Sequence, residues 1–255
     1  MVKIGNILGS KIKEDLPLIK IEFFHDAICS FCFPMSARMR KIAKKYNNVE
    51  ITHRSFALGW EAEDFVRSFG SREAVKPEVL GHWAHANQID DEHRFNIEGM
   101  SQTDFNFPIS KPGLKAAKAA DLIGGDEMYW DVFDRIQNKL FVENKNIEDI
   151  AVLEEAVKET IISFTDWKEQ FESDETEKAV LADLQLVRAY GVRSAPTLVI
   201  NQKYAISGAQ SQEAIEKVLA KISNDEGIPL NKLQTLQTDS IGGSCSIEDG
   251  NWQCN

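Results

Sequence analysis

The chain has 255 residues, 43% hydrophobic and 27% charged, with 29 Lys and Arg against 40 Asp and Glu for a formal net charge of −11. That composition excludes disorder and collagen-like repetition, supplies a sizeable core without disulfide scaffolding, and makes a poor general binder of nucleic acid or anionic membrane. The sequence has no run of 18 apolar residues long enough to span a bilayer. Lys11, Lys13, Glu14 and Asp15 break the first apolar stretch before any secretory cleavage site. The expected compartment is therefore the reducing cytoplasm, where the four cysteines point to catalysis or metal binding over structural disulfides.

Leu18 to His25 is short and rich in Ile and Phe, the pattern of a buried strand. After Cys29-Ser30-Phe31-Cys32, residues Met35, Met39, Ile42, Ala43 and Tyr46 recur at helical spacing, and the helix they predict ends near Asn47-Asn48. Val49 to Phe56 alternates as a second strand, so residues 1–57 read as β-α-β. From 58 to 190 the pattern is helical, with helices expected over Lys115–Asp121, Met128–Phe141, Ile147–Glu159 and Glu175–Tyr190, and Asn96 to Pro112 expected as loops. Gly191 then ends the last of these helices. Thr197–Asn201 and Lys203–Ser207 read as a hairpin turning around Gln202, and Ser211 to Ile222 as an amphipathic helix capped by Ser211. The expected organisation is an α/β domain of residues 1–57 and 191–222, a helical insertion over 58–190, and a polar tail over 223–255 with Cys245 and Cys254.

Cys29-Ser30-Phe31-Cys32 is the sharpest signal. A C-x-x-C pair that opens a helix after a strand reads as a thioredoxin-like redox motif. Two intervening residues let the sulfurs close a ring, and a helix N-terminus aims unpaired N–H groups and the positive dipole end at the first thiol. Such surroundings lower a thiol pKa from about 8.5 to as little as ~3.5–7.5, and the thiolate is the species that attacks a disulfide. Cys29 is thus expected to be the exposed nucleophile and Cys32 the resolving thiol. The same spacing also serves half a zinc site, or two inert core cysteines.

Gly191 through Gln210, with Ser194-Ala195-Pro196-Thr197 leading into a strand, and Asp26 through Cys32 together resemble the thioredoxin superfamily. Within it the chain resembles the DsbA-like proteins, and among these the FrnE-like branch, over roughly residues 18–222. The resemblance implies a thioredoxin-like fold whose βαβ and ββα halves share a mixed central sheet, with an inserted helical domain. It implies that Pro196 is cis and that the Ala195-Pro196 segment faces the cysteines and aligns the substrate backbone. The branch usually carries Pro-Trp between the cysteines and Gly at the position of Met35; here Ser30-Phe31 and Met35 stand instead. DsbA has a histidine beside its second cysteine, whose hydrogen bond Phe31 cannot donate, so a less strongly oxidising pair is expected. Asp26, which matches the family pattern, is a candidate for tuning the Cys29 pKa, and Glu22 in the first strand is a candidate proton acceptor beside Cys32; either is otherwise a strand-end polar residue.

Cys245 and Cys254, an auxiliary redox pair in prospect, could exchange with Cys29–Cys32, form a stabilising disulfide, or stay as free thiols. His82, His85 and His93 read as surface histidines, and no metal site is expected. Phe65, Phe69, Trp83, Trp130, Phe133 and Phe141 are expected to build the core of the insertion, and a substrate-binding groove between domains could borrow some of them. The function these features imply is thiol–disulfide exchange that needs no metal or organic cofactor. Its partners are protein or small-molecule thiols and disulfides and a thiol reductant or oxidant such as glutathione or thioredoxin. The alternatives are a glutathione-dependent isomerase or transferase of the kappa or 2-hydroxychromene-2-carboxylate isomerase type, and a zinc-binding or chaperone-like module.

Overall fold

Ile19, Ile21 and Phe23 alternate with Lys20 and Glu22, the period of a strand with one face on a core, and β1 (Ile19–His25) takes that form. The computed structural model describes residues 18–231, 245–248 and 251–254. Helix α1 (Cys32–Lys45) follows β1, and β2 (Val49–Ser55) returns parallel to it. The chain then enters a helical segment: α2 (Ala62–Phe69), α3 (Val75–Ile89), α4 (Ile97–Ser101), α5 (Ser110–Phe141), α6 (Ile150–Lys158), α7 (Phe164–Glu172) and α8 (Asp174–Ala189). It closes the sheet with β3 (Thr197–Ile200), antiparallel to β1, then β4 (Tyr204–Ser207) and α9 (Gln212–Glu226). The strand order is β2-β1-β3-β4, a mixed thioredoxin-like sheet.

Met35, Met39 and Ile42 on α1 and Ile215, Leu219 and Ile222 on α9 pack against Ile19, Ile21, Phe23, Leu198 and Ile200 of the sheet. Ser211 caps α9 by accepting from the Ala214 N–H, as expected, but the helix runs one turn past Ile222 and stops where Gly227 takes φ +67°. Gly191 likewise adopts φ +65° just beyond α8.

The expected loop over Asn96–Pro112 is a correction. Asn96 caps the short helix α4 by accepting from the Gly99 N–H, and Pro112 lies in the first turn of α5, where a missing N–H costs nothing. The two helices expected over Lys115–Asp121 and Met128–Phe141 are present as the two arms of α5, separated at Gly125, whose backbone is not helical (φ 73°, ψ −166°). Asp149 caps α6 and delays its start to Ile150. Trp130 is also a correction: it packs with the sheet core, not the helical one, and its Nε1 donates to Ser36 Oγ on α1 at 2.6 Å.

The insertion is held to the sheet by buried charge. Lys118 Nζ on α5 lies 2.8 Å from Asp183 on α8 and 3.0 Å from Asp121. Asp183 in turn accepts from the Ser55 N–H of β2 at 3.0 Å.

Candidate active site

The turn after β1 winds into α1 through successive bonds: Cys29 N–H to Asp26 O (3.1 Å), Cys32 N–H to Cys29 O (3.0 Å) and Phe33 N–H to Ser30 O (3.3 Å). Cys29 therefore stands just in front of the helix, whose N-cap residue Phe31 supplies no side-chain cap. Among the described residues nothing accepts from the Ser30 or Phe31 N–H, which leaves two donors at the positive end of the helix for a group in front of it. Both cysteines are free thiols. The Cys29 thiol donates to the Ala195 carbonyl at 3.5 Å, and the Ala195–Pro196 peptide is cis. The start of β3 thus faces the turn across 166 positions of sequence.

Cys29 is not the exposed thiol expected from the motif. Only 4% of its surface is accessible. It borders an apolar cavity of about 350 Å³ walled by Phe31, Phe65, Phe69, Val79, Trp83 and Phe107. The walls come mainly from the insertion, and Leu58 stands at the rim, half exposed. Among the described residues no group of three or more His, Cys, Asp or Glu side chains is arranged to hold a metal. His82 lines the apolar cavity, His85 meets the edge of Phe31 at 5.4 Å, and His93 Nδ1 bonds to Asn87 O at 2.6 Å.

Cys32 is fully buried. Burial pushes its thiol well above the usual range, with the hydrogen bond and charge of Cys29 adding to the rise; the Asp26 backbone, bonded to the thiol, opposes it, while the Asp26 carboxylate adds a smaller rise. Asp26 is itself fully buried, and burial raises its carboxyl to about 6 even though four donors, from Ser110, Leu58, Ile28 and Ala27, act against the rise. Ser110 Oγ donates to Oδ2 at 2.7 Å, the Leu58 N–H to Oδ2 at 2.6 Å, and the Ile28 N–H to Oδ1 at 3.2 Å. The Gln137 amide also reaches the Asp26 carbonyl at 3.4 Å.

Glu22, the other acid expected at the site, is held elsewhere. Arg54 lies 2.8 Å from it, and the Tyr190 hydroxyl donates to it at 2.8 Å. Strand alternation points Glu22 away from the face that carries Ile21 and Phe23. Cys245 and Cys254 are register partners in a hairpin of β5 (Cys245–Glu248) and β6 (Asn251–Cys254).

Sequence reasoning missed Ser110 and Gln137, because no local pattern marks a polar residue on a helix as the partner of a turn far from it in sequence. It also missed a buried pair of rings, His25 and His53, joined at 3.1 Å between Nε2 and Nδ1. Burial first, then nearby positive charge and, for His25, the other ring, hold both well below the usual histidine range.

These features define a thioredoxin-like fold with two free thiols at the turn into α1, under a helical cover. The chain belongs to the DSBA-like thioredoxin domain family, whose model matches residues 20–220. It is 24% identical over 220 residues to the ClpXP adapter protein SpxH of Bacillus subtilis, covering 83% of this chain and 70% of that one. A Nitrosomonas europaea structure solved as a candidate protein disulfide isomerase superposes with a TM-score of 0.69 at 20% identity, over 82% of this chain and all of that one. The cytosolic disulfide reductase DsbM of Pseudomonas aeruginosa, solved also with GSH, superposes with a TM-score of 0.61 at 15% identity, over 80% of this chain and 99% of its own.

Proposed function

We propose that this DsbA-like protein exchanges disulfides through Cys29 and Cys32, as a cytoplasmic member of the FrnE-like branch. The observation that carries the reading is the assembly of two free thiols, the Ala195 carbonyl and a buried carboxyl at one turn. In the reducing direction the Cys29 thiolate attacks a substrate disulfide, forming a mixed disulfide and releasing one substrate thiolate. Cys32 then attacks Cys29; the new S–S bond forms, the second substrate thiolate leaves with the electron pair, and the Cys32 proton passes to Asp26. A thiol reductant such as glutathione or thioredoxin returns the pair to dithiol. In the oxidising direction a substrate thiolate opens the Cys29–Cys32 bond by the reverse path. The two sulfurs carry the electrons, so the exchange uses no cofactor. The Ala195-Pro196 backbone is suited to pair with the substrate chain, and the apolar cavity to receive the side chain beside the reacting sulfur.

Mixing the Cys32→Ser variant with a peptide disulfide tests this. The expected result is a mixed disulfide retained on Cys29, seen by intact-mass measurement, and no adduct at this site with Cys29→Ser. Turnover that survives Cys32→Ser in the presence of glutathione would instead indicate the isomerase or transferase chemistry.

The likeness to the Bacillus ClpXP adapter favours a second reading, a polypeptide-binding adapter. It fits a Cys29 that is 4% accessible. Peptide binding that is unaffected by Cys29→Ser, in a wild type that fails to exchange disulfides, would select it.

Cys245 and Cys254 form the auxiliary redox pair of this proposal. Residues directly opposite in an antiparallel pair have Cα atoms roughly 4.5–5.5 Å apart, inside the ~4.4–6.8 Å span of a disulfide. Their register in the hairpin therefore suits a bond that either braces it or exchanges with Cys29–Cys32. Thiol counting on Cys245→Ser, with and without turnover, separates the two uses.

A further inference from the structure

Ser110 is the first residue of α5 and is fully buried. Its hydroxyl accepts from the Gly59 N–H at 3.1 Å and donates to Asp26 Oδ2 at 2.7 Å, while its own N–H donates to Gly59 O at 2.8 Å. With one hydrogen to give and the Gly59 N–H occupying its acceptor side, the hydroxyl is oriented toward the carboxylate. One turn later α5 comes so near the redox turn that a Cβ on Gly113 would stand 2.8 Å from the Ala27 Cβ. The insertion therefore delivers this hydroxyl at a set distance, on a rigid helix, to the acid beside Cys32.

We propose that Ser110 is a positioning residue for the redox step: its hydroxyl, carried in by the inserted helices, keeps Asp26 in the ionised, proton-accepting state while Cys32 closes onto Cys29. This rests on the exchange reading above. In that step the Cys32–Cys29 bond forms, the bond from Cys29 to the substrate sulfur breaks, the electron pair leaves on the substrate sulfur, and the proton moves from Cys32 to Asp26. A carboxylate without the Ser110 donor takes its proton at higher pH, and less of it is available as an acceptor near neutrality. The backbone donors from Leu58 and Ile28 remain in every side-chain variant, so the hydroxyl is the one donor a substitution at Ser110 removes.

The test follows reduced protein mixed with dipyridyl disulfide, whose released thione is coloured and uncharged. The first release marks attack by Cys29, and the second marks resolution by Cys32. In the wild type the second rate is expected to fall as pH drops through about 6. In Ser110→Ala that inflection is expected to move upward by roughly one to two pH units, the worth of a hydrogen bond to a charged group. Ser110→Thr, which keeps the hydroxyl, is expected to restore the wild-type inflection, and Asp26→Asn to remove it. An inflection unmoved in Ser110→Ala, with only a uniform drop in rate, would overturn the proposal. A wild type that gives one release and never the second would instead overturn the exchange reading on which it stands.

Discussion

Replacing Asp26 by asparagine should make the protein more stable at neutral pH, although it removes a group with four donors. Burial holds the folded carboxyl at about 6, against an ordinary 3.8. The folded chain therefore binds a proton that the unfolded chain has already released between those two values. Stability falls as pH rises through that window, and the full deficit is present above about pH 6. At ~1.36 kcal/mol per pH unit the rise sets the deficit near 3 kcal/mol. Asparagine can keep the acceptor facing Ser110 and Leu58, but its NH2 group meets the Ile28 N–H and leaves that donor unpaired, which costs about 1–2 kcal/mol. The net gain at pH 8 is then about 1–2 kcal/mol, and the advantage disappears toward pH 4.

Urea unfolding of reduced wild type and Asp26→Asn at intervals from pH 4 to 8 measures this as a difference. The difference is needed because other groups titrate in the opposite sense: His25 and His53, held low, give stability that is present above pH 6.5 and is lost as pH falls. The Cys32 thiol, pushed well up, stays protonated throughout. A difference that stays constant over the range, or grows toward acid, would refute the buried-carboxyl account.

Lys118→Met takes the nearer cation from buried Asp183 and leaves Arg54 at 3.4 Å, so it should cost about 3 kcal/mol in urea unfolding, the low end of a broken buried pair, part of which the added Asp183→Asn change should recover. His53→Phe removes one of the two rings that must charge in acid, so the stability loss below pH 6.5 should become shallower by about 1.4 kcal/mol per pH unit, read from the same titration of unfolding. Val79→Asp puts a carboxylate into the cavity beside Cys29 and should raise KM for peptide disulfides with an apolar residue next to cysteine by about tenfold, the effect of ~1.4 kcal/mol, with less change for a hydrophilic disulfide. Equal effects on both substrates would mean the cavity does not receive the neighbouring side chain.

The thiol pair was legible because its information is local: a strand, a two-residue gap and a helix start are all written within Ile19–Lys45. The cap at Ser211 and the positive-φ glycine after α8 were legible for the same reason. Pro196 could be tied to Cys29 only through family resemblance, since nothing in its own neighbourhood names a partner 167 positions away. The helical nature of the insertion could be read, but α4 has five residues, too few to show a period. Phe65, Trp83 and Phe107 were visibly apolar, yet only the packed chain brings them over Cys29. Of the two acids expected near the thiols, strand alternation sends Glu22 to Arg54 and leaves Asp26, just past the end of β1, to turn inward.

The stability lost at Asp26 and the proposed chemistry are two sides of one arrangement. Burial raises the acid to about 6 and pushes the Cys32 thiol well above its usual range, so a free Cys32 thiolate does not accumulate beside an ionised Asp26. Its proton must leave as the sulfur bonds to Cys29. During that step the negative charge passes from the buried carboxylate to the departing substrate sulfur, in the cavity bordered by Cys29 and open at the rim by Leu58. The desolvation that penalises the ionised acid in the resting protein is relieved when the acid becomes neutral, which favours resolution over reversal. Ser110 limits the penalty to one that still leaves Asp26 ionised near neutral pH. A stronger set of donors would stabilise the fold and weaken the base; a weaker set would leave the acid protonated before the thiol could use it.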